Sequence, residues 1–455
     1  MRTFRVAASS CLRMKTTLFL LGVALAAGWS RADDAYLALG PMIGHTGPRE
    51  TRIWAKASQA ARLGVRIGTK LDLSDARNVE GPALGADSDF MGRVVVEGLQ
   101  PSTNYHYALT LDGKPAMLRP YPSFKTAPEL GASGQVRVAF ASCVGRSGFM
   151  SAAIWGEMSA RTGFDLLLML GDNTYADSTD AAVQRRHYYD HRSMAGYAEI
   201  TRRVPTYAIW DDHDFGPNDS DGTAAGKEIS FQTFQQFWAN PSYGLPDDPG
   251  VYCKFSRGDV DFFLLDNRYH RSPNRAPDDG TKTMLGPKQL AWFKRELLAS
   301  KARVKFIASG SEWEPYGHLD SWTSFARERE EIFGFIREHD VQGVLLLSGD
   351  RHFTGAYQIY GRIIEVTSGP LGSPTTVGAN KPDMFLNLTE GKMCAVFAVD
   401  TTGPAPAVKL EVYRAGAGQV YERELSWDEI NGRAKIRTLP LPPPPPETKK
   451  GARKL

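Results

Sequence analysis

Between residues 35 and 127, apolar and polar positions alternate in short runs (TRIWAKA, RLGVRIGT, GRVVVEG, NYHYALTLD) broken by Gly, Pro and Asp turns. A period of two marks half-buried strands, and no 3.6-residue period appears there. Residues 33–127 therefore read as an all-β unit. From residue 135 the pattern changes to continuous apolar runs: VRVAFAS, FDLLLML, TYAIW, VDFFLLD, VKFIAS, VLLLS and RIIEVTS. Such runs predict strands covered on both faces, as in parallel sheets. Between several of them lie helix-period segments, among them FMSAAIWGEMSAR, KQLAWFKRELLAS and SFAREREEIFGFIREH. In KQLAWFKRELLAS, Leu290, Trp292, Phe293, Leu297 and Leu298 share one broad face. The alternation predicts an α/β domain over residues 135–428, with helices outside buried sheets. PELGASG, residues 128–134, reads as the linker between the two. CAVFAVDTT and AVKLEVYRAGAGQVYERELSW read as strands with a closing hairpin around AGAG. From residue 437 to 455 the chain, with its PLPPPPPETKKGARKL, cannot build a core and is predicted extended and disordered. There is no internal repeat.

The amino terminus breaks the globular pattern. Arg2, Arg5, Arg13 and Lys15 precede TLFLLGVALAAGW, followed by SRA and DD. The apolar stretch is short for a bilayer span, and the layout is that of a secretory signal over residues 1–32, cleaved after Ala32. MKTTLFLLGVALAAG, from Met14, is a conventional signal by itself. The expected location is therefore periplasmic or extracellular, with no membrane span after cleavage, and the protein is expected to act as a monomer. A length of 455 residues suits two or three domains, and 42% hydrophobic with 23% charged residues is ordinary globular composition. Loss of residues 1–32 removes five basic residues and no acids, so the formal charge of +3 becomes −2. A mature chain of that charge has no phosphate-attracting platform for nucleic acid. Three cysteines remain, Cys143, Cys253 and Cys394, an odd number for an oxidising compartment. Cys143, directly after VRVAFAS, stands where a ligand would.

Candidate chemistry gathers at strand ends. In WDDHDFGPND, Asp211, Asp212 and Asp214 repel one another, which favours a bound cation over a plain polar turn. Ligands of open α/β domains bind beyond the carboxyl ends of strands. Four predicted strands end in coordinating residues: Cys143; Asp172 and Tyr175; Asp211, His213 and Asn218; Asp350 and His352. Their convergence implies a metal centre. Thiolate and phenolate favour a transition metal such as ferric iron. The oxygens of Asp211 and Asn218 suit calcium, magnesium or manganese. Asp172 could bridge two ions, and cations about 3.5 to 4 Å apart suit in-line displacement at phosphorus.

The strand ending in SC, then GDNTYAD, WDDHDFGPND, LLLSGDRHF and EVTSGPLGSP, resemble in order the motifs of the alkaline phosphatase D (PhoD-like) family of metallophosphoesterases, over residues 136 to roughly 370. The preceding β unit is similar to that family's N-terminal domain. GLQPSTNYHYAL with FKTAP resembles the late strands of a fibronectin type III sandwich, with Tyr105 in the place of its corner tyrosine. The resemblance implies a four-layer α/β/β/α sandwich carrying iron and calcium. By motif, Cys143 and Asp172 would bind iron, and Asp172, Asp211, Asn218 and Asp350 would serve bridging or calcium positions. His352 would contact the centre or the phosphate. Tyr175 matches the phenolate of GDxxY, shared with purple acid phosphatases, and Tyr188 or Tyr189 in RRHYYDHR competes for that role. The absence of an adjacent arginine pair departs from family members exported by the twin-arginine route. The implied reaction is attack on phosphorus by hydroxide made available through metal binding. Arg351 would offset charge on the equatorial oxygens, and His213 would protonate the leaving group or orient a ligand. A secreted phosphomonoesterase is the first expectation. A phosphodiesterase acting on phospholipid or teichoic-type substrates would use the same metals. An envelope binding protein would require lost ligands, and the set here is complete.

Overall fold

The computed structural model of the 455-residue chain describes residues 34–146 and 151–441. The expected signal at 1–32 and the tail beyond 441 lie outside the described residues, as do 147–150 at the head of the first predicted helix.

The N-terminal alternation becomes two antiparallel sheets. Leu37–Thr46, Glu50–Ala57 and Met91–Glu97 form one; Arg77–Leu84, Ala61–Gly68 and Asn104–Leu111 form the other, with short Lys114–Pro115 and Ser123–Lys125 against its last strand. Period-two residues of both sheets (Ile53, Val94, Val96, Leu63, Val65, Leu109) meet in one apolar cluster. The opposite face of the first sheet turns Met42 and Trp54 into the larger core of the chain. Polar contacts fasten the same surfaces. Tyr107 Oη donates to the Arg202 carbonyl at 2.7 Å, and Trp54 Nε1 donates to the Gln236 carbonyl at 2.7 Å.

Beyond residue 134 the fold is mixed α/β. A six-stranded sheet runs Thr206–Ile209, Leu166–Leu170, Gln135–Ala141, Met393–Asp400, Ala407–Arg414, Gly418–Leu425. Its first three strands are parallel, and its last two form the hairpin expected around AGAG. A seven-stranded sheet runs Cys253–Arg257, Val260–Leu264, Val304–Ser309, Val344–Ser348, Ile363–Thr367, Thr354–Ile359, Met384–Leu388. Its second to fifth strands are mutually parallel. All seven apolar runs from residue 135 to 367 are strands.

Alternation decides which core each residue joins. Phe262, Phe306, Leu345 and Leu347 cluster with Phe140 and Phe397 of the six-stranded sheet, with the Phe306 and Phe397 rings 5.3 Å apart. Phe263, Ile307 and Leu346, one residue out of phase, cluster with Trp292, Phe293 and Leu297 of helix Pro287–Ala299 and with Ile332, Phe333 and Ile336 of helix Ala326–Glu338. No helix among the described residues is long and apolar enough to cross a membrane. Helices Ala181–Arg192 and Lys227–Phe237, missing from the sequence reading, present mostly polar residues whose few buried positions do not stand out. Asp180 starts the first by accepting from the Ala182 and Val183 N–H groups.

Candidate metal centre

The parallel strands bring their carboxyl ends to one edge, and there the backbone turns sharply. Cys143, Asp172 and Asp350 all take left-handed conformations, with φ of 60°, 52° and 63°. A non-glycine residue held so costs about 1 to 3 kcal/mol and persists only where its surroundings over-determine it. Hydrogen bonds between the turns supply that constraint. Ser142 N–H donates to the Ser368 carbonyl at 3.0 Å, Val144 N–H to the Asp172 carbonyl at 3.1 Å, and Gly349 N–H to the Gly310 carbonyl at 2.9 Å. Gly171 lets two turns approach, because a Cβ there would lie 2.6 Å from Asp211 Cβ and its φ is 94°.

One half of the site joins a thiol, a phenol, an imidazole and a carboxylate. Tyr175 Oη donates to Asp172 Oδ2 at 3.0 Å, lies 3.2 Å from His352 Nε2, and accepts from Ser373 Oγ at 2.7 Å. Cys143, Asp172 and His352 each offer a ligand atom within 4.8 Å of the others. Cys143 is fully buried, its Sγ 3.4 Å from the Asp350 carbonyl. His213 stacks on Tyr175 with ring centroids 4.2 Å apart, and its Nδ1 lies 2.5 Å from Asp177 Oδ1.

The other half is acidic. Asp172, Asp212, Asn218, Asp219, Asp350 and His318 are among the residues lining a cavity of about 300 Å³, with His213, Arg351 and His352 also on its wall. Asp211 stands behind that wall, fully buried. Its Oδ1 accepts from Arg268 Nε at 2.5 Å and Asn267 Nδ2 at 3.0 Å, while Arg268 also binds Asp320 at 2.6 Å. Burial and then the charges of Asp212, Asp211, Asp214 and Asp350 push Asp172 well above the carboxylate range. Burial likewise raises Asp211 to about 7, against the pull of Arg268. Asp212 and Asp350 go the other way: burial raises each, but Arg268 and His213 outweigh it at Asp212, and the bond from His318 does so at Asp350. Burial, then Asp172, pushes the Cys143 thiol and the Tyr175 phenol up.

Whether the residues fit metal ions is tested by their unsatisfied atoms. Asp172 Oδ1, Asp211 Oδ2 and Asp212 Oδ1 are buried oxygens with no hydrogen-bond partner. Buried carboxylate oxygens are normally paired, and each orphan costs about 1 to 3 kcal/mol or more. A cation among them would satisfy the oxygens and reverse the upward shifts. The donors fit: sulfur, phenol and imidazole suit a transition metal, and a wall of carboxylates suits a hard ion.

The structure thus brings together Cys143, Asp172, Tyr175, Asp211, His213, Asn218, Asp350, Arg351 and His352, with ligand oxygens of Asp211, Asp212 and Asp350 within 4.8 Å of one another. Asn218 sits at the exposed rim, donating to Asp219 Oδ1 at 2.8 Å, and Arg351 Nη1 donates to Glu312 at 3.2 Å. Tyr188 lies elsewhere, stacked on Phe237 at 4.2 Å, and Tyr189 packs under Lys56. Asp212, named in the sequence only for its repulsion of Asp211 and Asp214, offers a further ligand oxygen, and sequence reasoning missed Glu312 and His318. His318 Nε2 lies 2.7 Å from Asp350 Oδ2, and these three form a further group with metal-ligating spacing. The signal was present: GSEWEPYGHLD follows VKFIAS, one more strand end. Cys143, Cys253 and Cys394 are all unpaired and buried.

A PhoD-like phosphatase family model matches residues 138–420, and a domain of unknown function, DUF7800, matches residues 34–129. Alkaline phosphatase D of Bacillus subtilis (strain 168) is 25% identical, over 64% of this chain and 59% of the relative. Purple acid phosphatase 23 of Arabidopsis thaliana is 24% identical, over 64% of this chain and 62% of the relative. The chain therefore spans about three fifths of the length of the curated relatives it matches. The solved structure of PhoD superposes with a TM-score of 0.70 at 19% identity, covering 85% of this chain and 91% of that one. Purple acid phosphatase PPD1 from yellow lupin (Lupinus luteus) seeds superposes with a TM-score of 0.65 at 15% identity, covering 88% and 77%. With the family model spanning more than half of its length, this chain belongs to the PhoD-like phosphatase family.

Proposed function

We propose that the chain is an exported, metal-dependent phosphoesterase that hydrolyses phosphate esters in the manner of alkaline phosphatase D. The carrying observation is the set of orphaned oxygens on Asp172, Asp211 and Asp212, with Asp172 also grouped with Cys143 and His352 and bonded to Tyr175. In this reading Cys143, Asp172, Tyr175 and His352 hold ferric iron. Asp172, Asp211, Asp212 and Asp350, with Asn218 at the rim, would hold calcium, for which magnesium or manganese could substitute. Asp211 would offer Oδ2 to the ion while its Oδ1, held by Arg268, fixes the turn that carries Asp212. Bound there, two cations supply an activated water and offset the phosphate's charge. Arg351 faces the equatorial oxygens from the rim, restrained by Glu312. His213 keeps Nδ1 on Asp177, which leaves Nε2 to deliver a proton to the departing alkoxide. In the metal-free protein, burial lowers the His213 pKa, but Asp212 and the Asp177 contact outweigh it and raise the ring above its ordinary value.

Two structural readings accompany this one. The face-to-face sheets with outer helices support a four-layer α/β/β/α catalytic domain over residues 135–428. Tyr105 Oη accepts from Gln100 N–H at 2.9 Å, which supports a fibronectin III-like N-terminal sandwich over 33–127. The charged and apolar layout of residues 1–32 supports export.

The test is metal analysis of protein purified without added metals, followed by assays on 4-nitrophenyl phosphate and bis(4-nitrophenyl) phosphate before and after chelation. Iron with a hard divalent ion, and hydrolysis abolished by chelation, are expected; the ratio of the two rates assigns monoesterase or diesterase. Full activity in metal-free protein would overturn the reading, as would a metal-loaded protein inert on both esters.

A further inference from the structure

The loop that follows strand Val304–Ser309 brings another histidine to the cavity. His318 Nε2 lies 2.7 Å from Asp350 Oδ2 and 3.8 Å from Glu312 Oε2, a spacing that invites a metal ion. The other ring nitrogen argues against ligation. Asp320 N–H donates to His318 Nδ1 at 3.2 Å, so Nδ1 turns its lone pair to the backbone. A neutral imidazole carries one proton, which then sits on Nε2 and points at Asp350. Protonated there, Nε2 has no lone pair for a cation.

The loop holds the ring in that attitude from several sides. Ser321 Oγ donates to the His318 carbonyl at 2.7 Å, and Trp322 N–H donates to the Glu312 carbonyl at 3.2 Å, closing the base of the loop. Gly317 admits the tight bend, because a Cβ there would lie 2.6 Å from Ser321 Oγ. Asp320, whose amide fixes the tautomer, is itself anchored. Its carboxylate accepts from Arg268 at 2.6 Å, Arg271 at 2.7 Å and Asn274 at 2.6 Å. Arg268 in turn grips Asp211. The stretch His318–Asp320 thus braces two turns that carry candidate ligands, Asp350 through His318 and Asp211 through Asp320.

Asp350 needs such a brace. Its backbone is left-handed, and its carboxylate stands on the cavity wall, where nothing else restrains it: among the described residues, His318 makes the one hydrogen bond to that carboxylate. The bond occupies Oδ2 and leaves Oδ1 for the cavity. We infer that His318 is a positioning residue, whose backbone-fixed Nε2–H holds Asp350 Oδ2 and so presents Oδ1 to the hard ion of the proposed centre. Donors that orient a ligating carboxylate in this way are worth about 10- to 100-fold in metal affinity. The inference rests on the metal-dependent reading of the site and gives His318 a task other than ligation.

The experiment frees the protein of divalent ions with EGTA, leaves any iron in place, and titrates calcium by calorimetry. It compares the native chain with His318→Ala, His318→Gln and His318→Asn. Glutamine sets an amide N–H where Nε2 stands, whereas asparagine reaches only as far as Nδ1. At unchanged stoichiometry, His318→Ala and His318→Asn should bind calcium at least about tenfold more weakly, while His318→Gln should stay within about threefold of the native chain. The side chain is 39% exposed, so little packing is lost in any variant. Should the alanine variant fail to fold, the glutamine and asparagine pair carries the same comparison. Native affinity in the alanine and asparagine variants would overturn the proposal. So would the loss of one equivalent of calcium in all three variants, which would make His318 a ligand. A native chain that binds no calcium would overturn the metal-dependent reading and this proposal with it, whereas native binding that survives loss of the donor would overturn the positioning role alone.

Discussion

At the scale of single residues, adjacent acids divide the labour. Asp211 and Asp212 follow one strand and share a ligand cluster with Asp350, but Asp211 also gives its Oδ1 to a buried network with Arg268, Asn267 and, through Arg268, Asp320, whereas Asp212 lines the cavity. Replacing them should therefore have different signatures. Asp212→Asn should reduce bound metal and lower the rate by several orders of magnitude while the urea midpoint of the metal-free protein holds or rises. Asp211→Asn leaves Arg268 buried with less countercharge and should cost about 3 kcal/mol of stability, read as a fall in the same midpoint. Equal metal loss and equal stability in the two variants would remove the distinction. The neighbours could not be told apart from WDDH, because a chain leaving a strand no longer obeys period two. What decides the matter is Arg268, more than fifty residues downstream.

At the scale of elements, what was legible follows from how burial writes itself into sequence. Strands such as Val344–Ser348 and Leu166–Leu170 are buried throughout, so each reads as an uninterrupted apolar run. Their ends locate Cys143, Asp172 and Asp350 because a parallel sheet puts its carboxyl ends on one edge. Strands Thr354–Ile359 and Met384–Leu388 were illegible: TGAYQI and MFLNL mix Gly, Gln and Asn with apolar residues. Gln358 is buried there because its side chain serves the Glu429 and Ala434 carbonyls and the Ile436 N–H, partners no local pattern announces. Gly171 shows the tightness of the edge. Gly171→Ala would set a methyl 2.6 Å from Asp211 Cβ and 2.8 Å from its backbone nitrogen, at a φ that L residues rarely take. The variant should lose about 1 to 3 kcal/mol and bind metal more weakly; unchanged thermal unfolding and metal content would show that the turns tolerate separation.

For the whole molecule, acid stability depends on a histidine remote from the cavity. His191 is buried between Trp155 and Tyr197, neither ring nitrogen has a hydrogen-bond partner, and burial, helped by Arg192, pushes its pKa down to about 3 from 6.5. The unfolded chain takes up this proton near pH 6.5 and the folded chain only near 3. Stability from this group is therefore complete above about 6.5 and drains as pH falls, by on the order of 5 kcal/mol over the window. His191→Phe should flatten the dependence of the urea midpoint on pH between 6.5 and 3, and parallel profiles for the two proteins would exclude this origin.

The left-handed turns at Cys143, Asp172 and Asp350 have an evolutionary consequence. Glycine would relax all three at once, so thermal endurance and turnover pull these positions in opposite directions. A lineage or laboratory screen rewarding heat survival alone would drift towards glycine there and arrive at a sturdier, chemically silent scaffold.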